Sequence, residues 1–512
     1  MALAKLQTFA LVGIDAVGVE AEVDVAATGL PQVVLVGLAD STVKESTHRV
    51  ERAIINSGYR KPVSRVVVNL APADLRKDAA SFDLPIALGL LAATQQLPVD
   101  ALAGVAAVGE LALNGATRSV RGALSMAMSA RRLGARRLLV PSANAFEAAV
   151  VEDLDVYPVG SLAEAVGVLV GAIDIDPASV NLERLFESPQ SSGPDFAEVR
   201  GQELAKRALV VAASGRHNVL MLGSPGTGKT MLAKRLSTIL PPLSIEESLE
   251  TTRIFSSVGM TSPEQPLKTQ RPFRSPHHTS SEAGLVGGGS NPEPGEVSLA
   301  HHGVLFLDEF PEFARRTLEV LRQPLEDGHV TITRARGKMT FPADFLMVAA
   351  MNPCPCGYLT DPKRACRCTP MQIDRYLSKV SGPLLDRIDI HLEVPAIDWE
   401  ELRGHTAGRD SQSMRQEVQR AQSIQKQRFQ GETIRTNGRM SGRQIREHCQ
   451  LDKTAESILK QAVEELGLSI RAHDRVLRVA RTIADLAGCA SIETIHLAEA
   501  IQYRRLDRKV WK

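Results

Sequence analysis

Gly223-Ser224-Pro225-Gly226-Thr227-Gly228-Lys229-Thr230 stands between a short apolar run, Val219-Leu220-Met221-Leu222, and Met231-Leu232-Ala233-Lys234-Arg235-Leu236, which reads as helix. Strand, glycine-rich turn, helix is the context that a phosphate-binding loop requires. The glycines let backbone N–H groups turn inward around an anion with no Cβ in the way. The helix that opens near Gly228 adds the positive end of its dipole. Lys229 supplies a point charge for the β- and γ-phosphates, and the Thr230 hydroxyl is placed to ligate Mg²⁺. All eight residues are candidate nucleotide contacts.

Outward from this loop, Val304-Leu305-Phe306-Leu307-Asp308-Glu309 is a second anchor. An apolar strand ending in two carboxylates suits a site in which Asp308 holds Mg²⁺ and Glu309 polarises the attacking water. Phe345 to Asn352 is a further apolar strand, and the Asn352 amide at its end is a candidate for orienting that water. Between them, Val330 to Phe341 alternates as a hairpin does, with its apolar residues on one face and Arg336-Gly337-Lys338 at the tip. Arg271 to His278 and Gly287 to Glu296 are rich in turn-formers and read as ordered loop insertions. The spacing of His277, His278, His301 and His302 fits no metal pattern, so solvated or structural histidines are expected there. Cys354-Pro355-Cys356 and Cys366-Arg367-Cys368 lie nine residues apart. Four thiolates so placed can make a tetrahedral Zn²⁺ site, although C-x-C pairs are tight for one; free thiols or a redox pair are the alternative.

With 512 residues the chain is long enough for two to four domains. Its formal net charge of +1 says nothing about nucleic acid, but from Glu401 onward 21 Lys and Arg face 14 Asp and Glu, a local net of +7. No apolar run suggests a membrane span, and Met1 to Lys5 lacks a signal peptide's basic-then-apolar order. Six cysteines in this length make no disulfide framework, so a cytoplasmic, reduced protein with no membrane partner is expected.

The fold class is α/β. Residues 1–175 alternate β-branched runs with helical stretches. Thr42 and Glu45 form a capping-box pattern, as do Ser161 and Glu164. Arg65 to Leu70 is a strand, and Asn114-Gly115 between Val105–Leu113 and Ala116–Val120 predicts a type I′ hairpin. Residues 176–195 hold linker chemistry, 196–395 the nucleotide-binding core with its cysteine loop 354–368, and 396–512 a charged helical region. There Arg471, Arg475 and Arg478 share one helix face.

Pro72 to Ser81, running into a helix, resembles the catalytic segment of Lon-type proteases. Gly109-Glu110, the hairpin and Arg136 to Pro141 resemble the rest of that domain. Ser81 falls at the serine position, but Leu124 falls where the activating lysine belongs. A serine without a base is a poor nucleophile, so a non-proteolytic Lon-like domain is implied, with Ser81 as a helix cap. Beyond it, Arg271–His278, Pro294–His302, Asn352-Pro353-Cys354-Pro355-Cys356-Gly357 and Arg475–Asp485 resemble the magnesium-chelatase-like branch of AAA+ ATPases, and within it the ComM/YifB group. This resemblance implies a Lon-like N-terminal domain, an AAA+ domain whose parallel sheet carries helices on both faces, and a helical lid. Phe196 to Gln202 is similar to the segment that packs on adenine. Asn352 resembles sensor 1, Arg387 the arginine finger that reaches a neighbour's γ-phosphate, and Arg471 sensor 2, with Arg475 the alternative in the other register. A finger acting in trans implies a ring, a homo-hexamer, with Arg334, Arg336 and Lys338 lining its pore against single-stranded or branched DNA. The resemblance thus suggests an ATP-driven helicase or branch-migration motor of natural transformation. A protein-remodelling or metal-insertion chaperone and an active Lon-like protease are the other readings.

Overall fold

The computed structural model describes residues 3–26, 32–37, 41–75, 80–187, 193–289, 291–334, 337–361, 363–396, 408–432, 434–504 and 506. The chain divides into two units, Met1–Ser188 with Ser244–Thr269, and Pro189–Leu243 with Gln270–Lys512.

The first unit is built on a seven-stranded mixed sheet. β1 (Ala4–Val12) and β2 (Asp15–Val25) form a long antiparallel hairpin; β3 (Gln32–Val36), β4 (Arg65–Ala71) and β5 (Val105–Ala107) flank it. A separate two-stranded ribbon of β6 (Glu110–Leu111) and β7 (Thr117–Arg118) precedes β8 (Arg137–Pro141) and β9 (Asp155–Val159), and the sheet order is β3-β4-β2-β1-β5-β8-β9. Both faces are covered. Leu6, Val19, Ala21 and Val23 meet the helix Asp83–Ala93, every residue of which is buried. That helix is apolar all round, as a helix enclosed by sheet and neighbours must be. Phe9 and Ala16 look the other way, onto Leu124 and Ala127 of the helix Ala123–Arg132.

Local expectations meet this unit unevenly. Ser161 caps the helix Leu162–Leu169 by accepting from the Glu164 N–H at 3.2 Å, and the Glu164 carboxylate accepts from Gly160 N–H in return. The side chains of Thr42 and Glu45 lie outside the described residues. The Asn114-Gly115 hairpin is present, but its loop holds three residues. Gly115 N–H donates to Ala112 O at 2.9 Å with Gly115 at φ +83°, and Ala112 N–H donates to Ala116 O at 2.8 Å. A type I′ turn has two loop residues, so the dipeptide marked the turn and misjudged its class. Ser81 caps nothing. The helix begins after Phe82 without a side-chain cap, and the Ser81 hydroxyl is buried with no partner among the described residues. Its neighbour Asp83 makes the polar contacts instead, accepting from Arg49 Nε at 2.7 Å and from Leu111 N–H at 3.1 Å.

Ser244–Thr269 lies within the stretch that the sequence reading assigned to the nucleotide-binding core, yet it groups with the first unit. Ser244 and Glu247 form a capping box at the head of the helix Ile245–Ser257. At its far end Ser256 O accepts from Gly122 N–H at 3.0 Å. The buried Glu147 carboxylate collects Leu124 N–H at 3.1 Å, Thr261 Oγ1 at 2.9 Å and the Ser256 hydroxyl.

The second unit holds a five-stranded parallel sheet of β10 (Val219–Leu222), β11 (Phe273–Arg274), β14 (Val304–Leu307), β17 (Leu346–Met351) and β18 (Ile390–Glu393), in the order β11-β14-β17-β10-β18. Every residue of β10, β14 and β17 is buried, as central parallel strands covered on both faces require. Two ribbons stand beside it: β12 (Gly287–Gly288) with β13 (Glu293–Pro294), and β15 (His329–Arg334) with β16 (Gly337–Pro342). The helical C-terminal region shares one core with this sheet. Met414, Val418, Val476, Ile483 and Leu497 pack in the same cluster as Val219, Val304, Val348 and Leu392. Below that cluster the Asp485 carboxylate accepts from Arg428, Arg481 and Asn437. No helix among the described residues is long and apolar enough to cross a membrane.

Candidate nucleotide site

The chain runs from β10 to β14 and only then to β17, which inserts between them. The C-terminal ends of β10, β14 and β17 therefore meet where the strand order reverses, the position at which open parallel sheets bind ligands. The loop after β10 turns on Gly226 at φ +82° and Gly228 at φ +90°, conformations that side chains resist. Gly223 is needed for closeness: a Cβ there would stand 2.4 Å from Val394 O. Gly228 is the N-cap of the helix Lys229–Ile239, so the first N–H groups of that helix face the loop. Lys229 is 8% exposed and donates to Gly223 O at 2.7 Å, Ser224 O at 3.0 Å and Asn352 Oδ1 at 3.2 Å. Burial pulls its pKa below the ordinary lysine value, against the pull of Asp308. Thr227 Oγ1 tightens the turn by donating to Ser224 O at 3.1 Å.

Thr230 Oγ1 and Asp308 Oδ2 are 2.7 Å apart. Neighbouring oxygens of a Mg²⁺ octahedron with bonds of 2.0–2.1 Å are about 2.9 Å apart, so hydroxyl and carboxylate fit that ion. The other oxygen of Asp308 accepts from Glu309 N–H at 3.0 Å. Glu309 itself sits at φ +51°, a left-handed conformation that costs a non-glycine residue energy, and its side chain is half exposed.

The Glu309 carboxylate has a partner that sequence reasoning missed. His278 Nδ1 lies 3.1 Å from Glu309 Oε2. The His278 ring is held edge-on to Phe313 at 6.4 Å and against His277 at 4.1 Å. Of the histidines expected to be solvated or structural, His278 is one that contacts a candidate catalytic carboxylate. The signal was register. β11 pairs parallel with β14, Phe273 beside Val304 and Arg274 beside Leu305, so the residues just past β11 arrive at the end of β14 where Glu309 sits.

Asn352 follows β17 directly and its amide meets Lys229 of the loop. The four cysteines come next and cluster, with Cys354 Sγ 3.4 Å from Cys356 Sγ and 3.7 Å from Cys366 Sγ. Cys368 lies in the same group. Backbone N–H groups of Arg367 and Tyr358 draw the Cys356 thiol down to about 6, whereas burial pushes Cys354 up to about 12.

The three arginines part company. Arg387 is buried, donating to Pro383 O at 2.6 Å and pairing with Glu326, whose carboxyl is held below its usual range by that guanidinium. Arg475 donates to the buried Asp389 at 2.5 Å, and Asp389 also accepts from Asn218 N–H at 2.9 Å. Arg475 thus ties its helix to the sheet. Arg471 is exposed in the first turn of the helix Ile470–Leu486. In the β15–β16 ribbon Val330, Ile332 and Phe341 are buried on one face, as the alternation predicted, and Arg334 and Lys338 are exposed. The register pairs Arg334 with Gly337 and Thr333 with Lys338. Gly337 and Lys338 are therefore paired strand residues and not the tip that was expected, and Arg336 lies outside the described residues.

Comparison with known proteins accords with this geometry. Residues 21–144 match the family described as subunit ChlI of Mg-chelatase, 195–402 that of magnesium chelatase subunit ChlI, and 408–504 its C-terminal region. The chain is 45% identical over 509 residues to the YifB protein of Salmonella typhimurium, covering 99% of this chain and 98% of that one. It is 43% identical over 514 residues to the competence protein ComM of Haemophilus influenzae, covering 100% and 99%. A stretch of 116 residues, 21% of this chain and 16% of the other, is 34% identical to an archaeal Lon protease of Halobacterium salinarum. A phosphate loop, a paired carboxylate strand end and an intervening amide strand, matched along the full length, show that the chain belongs to the ComM/YifB group of magnesium-chelatase-like AAA+ ATPases.

Proposed function

We propose that the chain is an ATP-driven DNA motor of the helicase or branch-migration type, working as a homo-hexameric ring in recombination during natural transformation. The observation that carries it is the convergence of Lys229, Thr230, Asp308 and Asn352 within hydrogen-bonding distance at three adjacent strand ends. In this reading Gly223 to Thr230 hold the phosphates, and Thr230 and Asp308 hold Mg²⁺. Glu309 polarises the attacking water and Asn352 orients it. Arg387 serves a neighbouring subunit's site, for which it must leave Glu326, and Arg471 approaches phosphate from the lid. Cys354, Cys356, Cys366 and Cys368 hold Zn²⁺. Residues 1–175 form a non-proteolytic Lon-like domain, 176–195 a linker, 196–395 the motor and 396–512 the lid. The setting is the cytoplasm.

DNA as the substrate draws support from the exposed Arg334 and Lys338 and from the competence role that the name of the Haemophilus relative states. Binding to forked DNA measured against salt tests it. Removing two phosphate contacts in Arg334→Ala/Lys338→Ala should flatten the slope of log K against log salt by about 1.5. A wild-type chain that binds no DNA at low salt would sink the proposal. The second reading, a remodelling or metal-insertion chaperone, rests on the magnesium-chelatase match over 195–402. A protein client that stimulates turnover without DNA would favour it.

A further inference from the structure

The loop that bears the four cysteines reaches the nucleotide site at both ends. It leaves β17 through Asn352, whose side chain meets Lys229 and whose backbone N–H donates to the Tyr376 hydroxyl. It returns at Cys368, next to Thr369, which caps the helix Pro370–Leu377 that carries Tyr376. Midway, Gly357 at φ +85° lies flat on Pro225 of the phosphate loop. A Cβ at Gly357 would come within 2.5 Å of Pro225 Cδ and 2.7 Å of Pro225 Cγ, and 3.8 Å from Asn352 Cγ. The segment is a strap over Gly223–Thr230, and the sulfurs sit where its two ends meet.

The sulfur geometry fits a metal. A tetrahedral Zn²⁺ with bonds of about 2.3 Å sets its sulfurs about 3.8 Å apart, whereas a disulfide brings them to about 2.05 Å. The separations are 3.4, 3.7 and 3.6 Å among Cys354, Cys356 and Cys366, with Cys368 Sγ in the same cluster. Backbone N–H groups of Cys356 and Cys368 point at Cys368 and Cys366 sulfur, each at 3.4 Å, the kind of outer contact that orients thiolate ligands.

The geometry points to a structural Zn²⁺, held by Cys354, Cys356, Cys366 and Cys368, that buckles this strap over the phosphate loop, so that nucleotide affinity depends on zinc occupancy. This rests on the nucleotide reading of Gly223–Thr230. Cross-linking the two C-x-C pairs removes the freedom of the nine residues between them and keeps Gly357 on Pro225 and Asn352 on Lys229. With the buckle open, the strap lifts and the amide that Lys229 meets is no longer fixed.

The full chain, purified under reducing conditions, is assayed for zinc by atomic emission and for binding of a fluorescent ATP analogue with Mg²⁺ present. About one zinc per chain is expected. Stripping it with a zinc-selective chelator weakens the analogue about tenfold, the loss expected for one charge-assisted contact, and Zn²⁺ alone restores it. Cys366→Ser/Cys368→Ser loses both zinc and affinity. Gly357→Ala, whose new methyl pushes against Pro225, keeps its zinc and loses affinity, so the strap is tested even if the cysteine variant fails to fold. Absence of stoichiometric zinc overturns the proposal, as does unchanged affinity after stripping. A zinc-loaded chain that binds no nucleotide overturns the nucleotide reading and the strap together, whereas Lys229→Ala that keeps zinc but not nucleotide upholds both.

Discussion

Lys229 has three protons to donate and three acceptors around it, Gly223 O, Ser224 O and Asn352 Oδ1. Phosphate oxygens compete for the same protons with a full negative charge, and a charge-assisted bond outweighs a neutral one. Lys229→Ala should therefore weaken ATP binding by about 10- to 100-fold, read by titration of a fluorescent analogue. Glu309→Gln should bind ATP as the wild type does while turnover falls by about 10²–10⁴-fold; normal turnover would remove Glu309 from the chemistry. His278 touches the Glu309 carboxylate, one contact further out. His278→Ala should lower kcat with KM for ATP within about twofold, and His278→Gln, which keeps a donor, should recover part of it. A change in KM alone would show a merely structural histidine. These residues differ in how readable they were. Lys229, Thr230 and Asp308 belong to contiguous motifs whose chemistry is local. His278 is defined only by the parallel pairing of β11 with β14, a contact between residues 31 apart in the chain.

Among the elements, the helix Ile245–Ser257 is the clearest case of a segment whose place in the chain misleads. Its partner was not legible, because Glu147, which it anchors to, lies 109 residues before Ser256. Glu147→Ala leaves Leu124 N–H, Thr261 and Ser256 without their acceptor in a buried place. It should lower unfolding stability by about 3 kcal/mol, seen as a shifted midpoint in urea. An unchanged midpoint would mean that water serves these donors as well. The β15–β16 ribbon shows the converse. Its alternation fixed which face is buried, since Val330, Ile332 and Phe341 need cover whatever surrounds them. Gly337 suggested the tip of the hairpin, whereas it pairs with Arg334. The parallel strands were legible as continuous apolar runs; their order was not, being a matter of which runs meet.

Across the whole chain, charges buried between distant segments tie stability to pH. His217 is fully buried, and that burial presses its pKa down to about 4 from 6.5, with Arg478 and Arg475 acting in the same sense and Asp389 against them. The unfolded chain then binds more protons between those values, so stability is full above about pH 6.5 and falls by about 3 kcal/mol on acidification to pH 4. Asp344 acts lower. Burial alone would raise its pKa, but Arg216 and Arg439 overcome it and hold the carboxyl below its ordinary range, so its contribution is lost only as pH drops below about 4. Unfolding followed from pH 8 to pH 3 should thus begin to weaken near 6.5, and a flat profile down to pH 5 would contradict the placement of His217. No sequence motif announces this network, because its members, among them His217, Asp389 and Thr482, come from three separate stretches. The shared core of sheet and helical region escaped the sequence for the same reason. The motor reading requires that ATP turnover at this site be coupled to DNA. The most direct measurement is ATP hydrolysis with and without a four-way DNA junction, in the wild type and in Arg334→Ala/Lys338→Ala. Stimulation by the junction that is lost in the double variant, with basal turnover retained, is the predicted result; a rate that no DNA changes would contradict it.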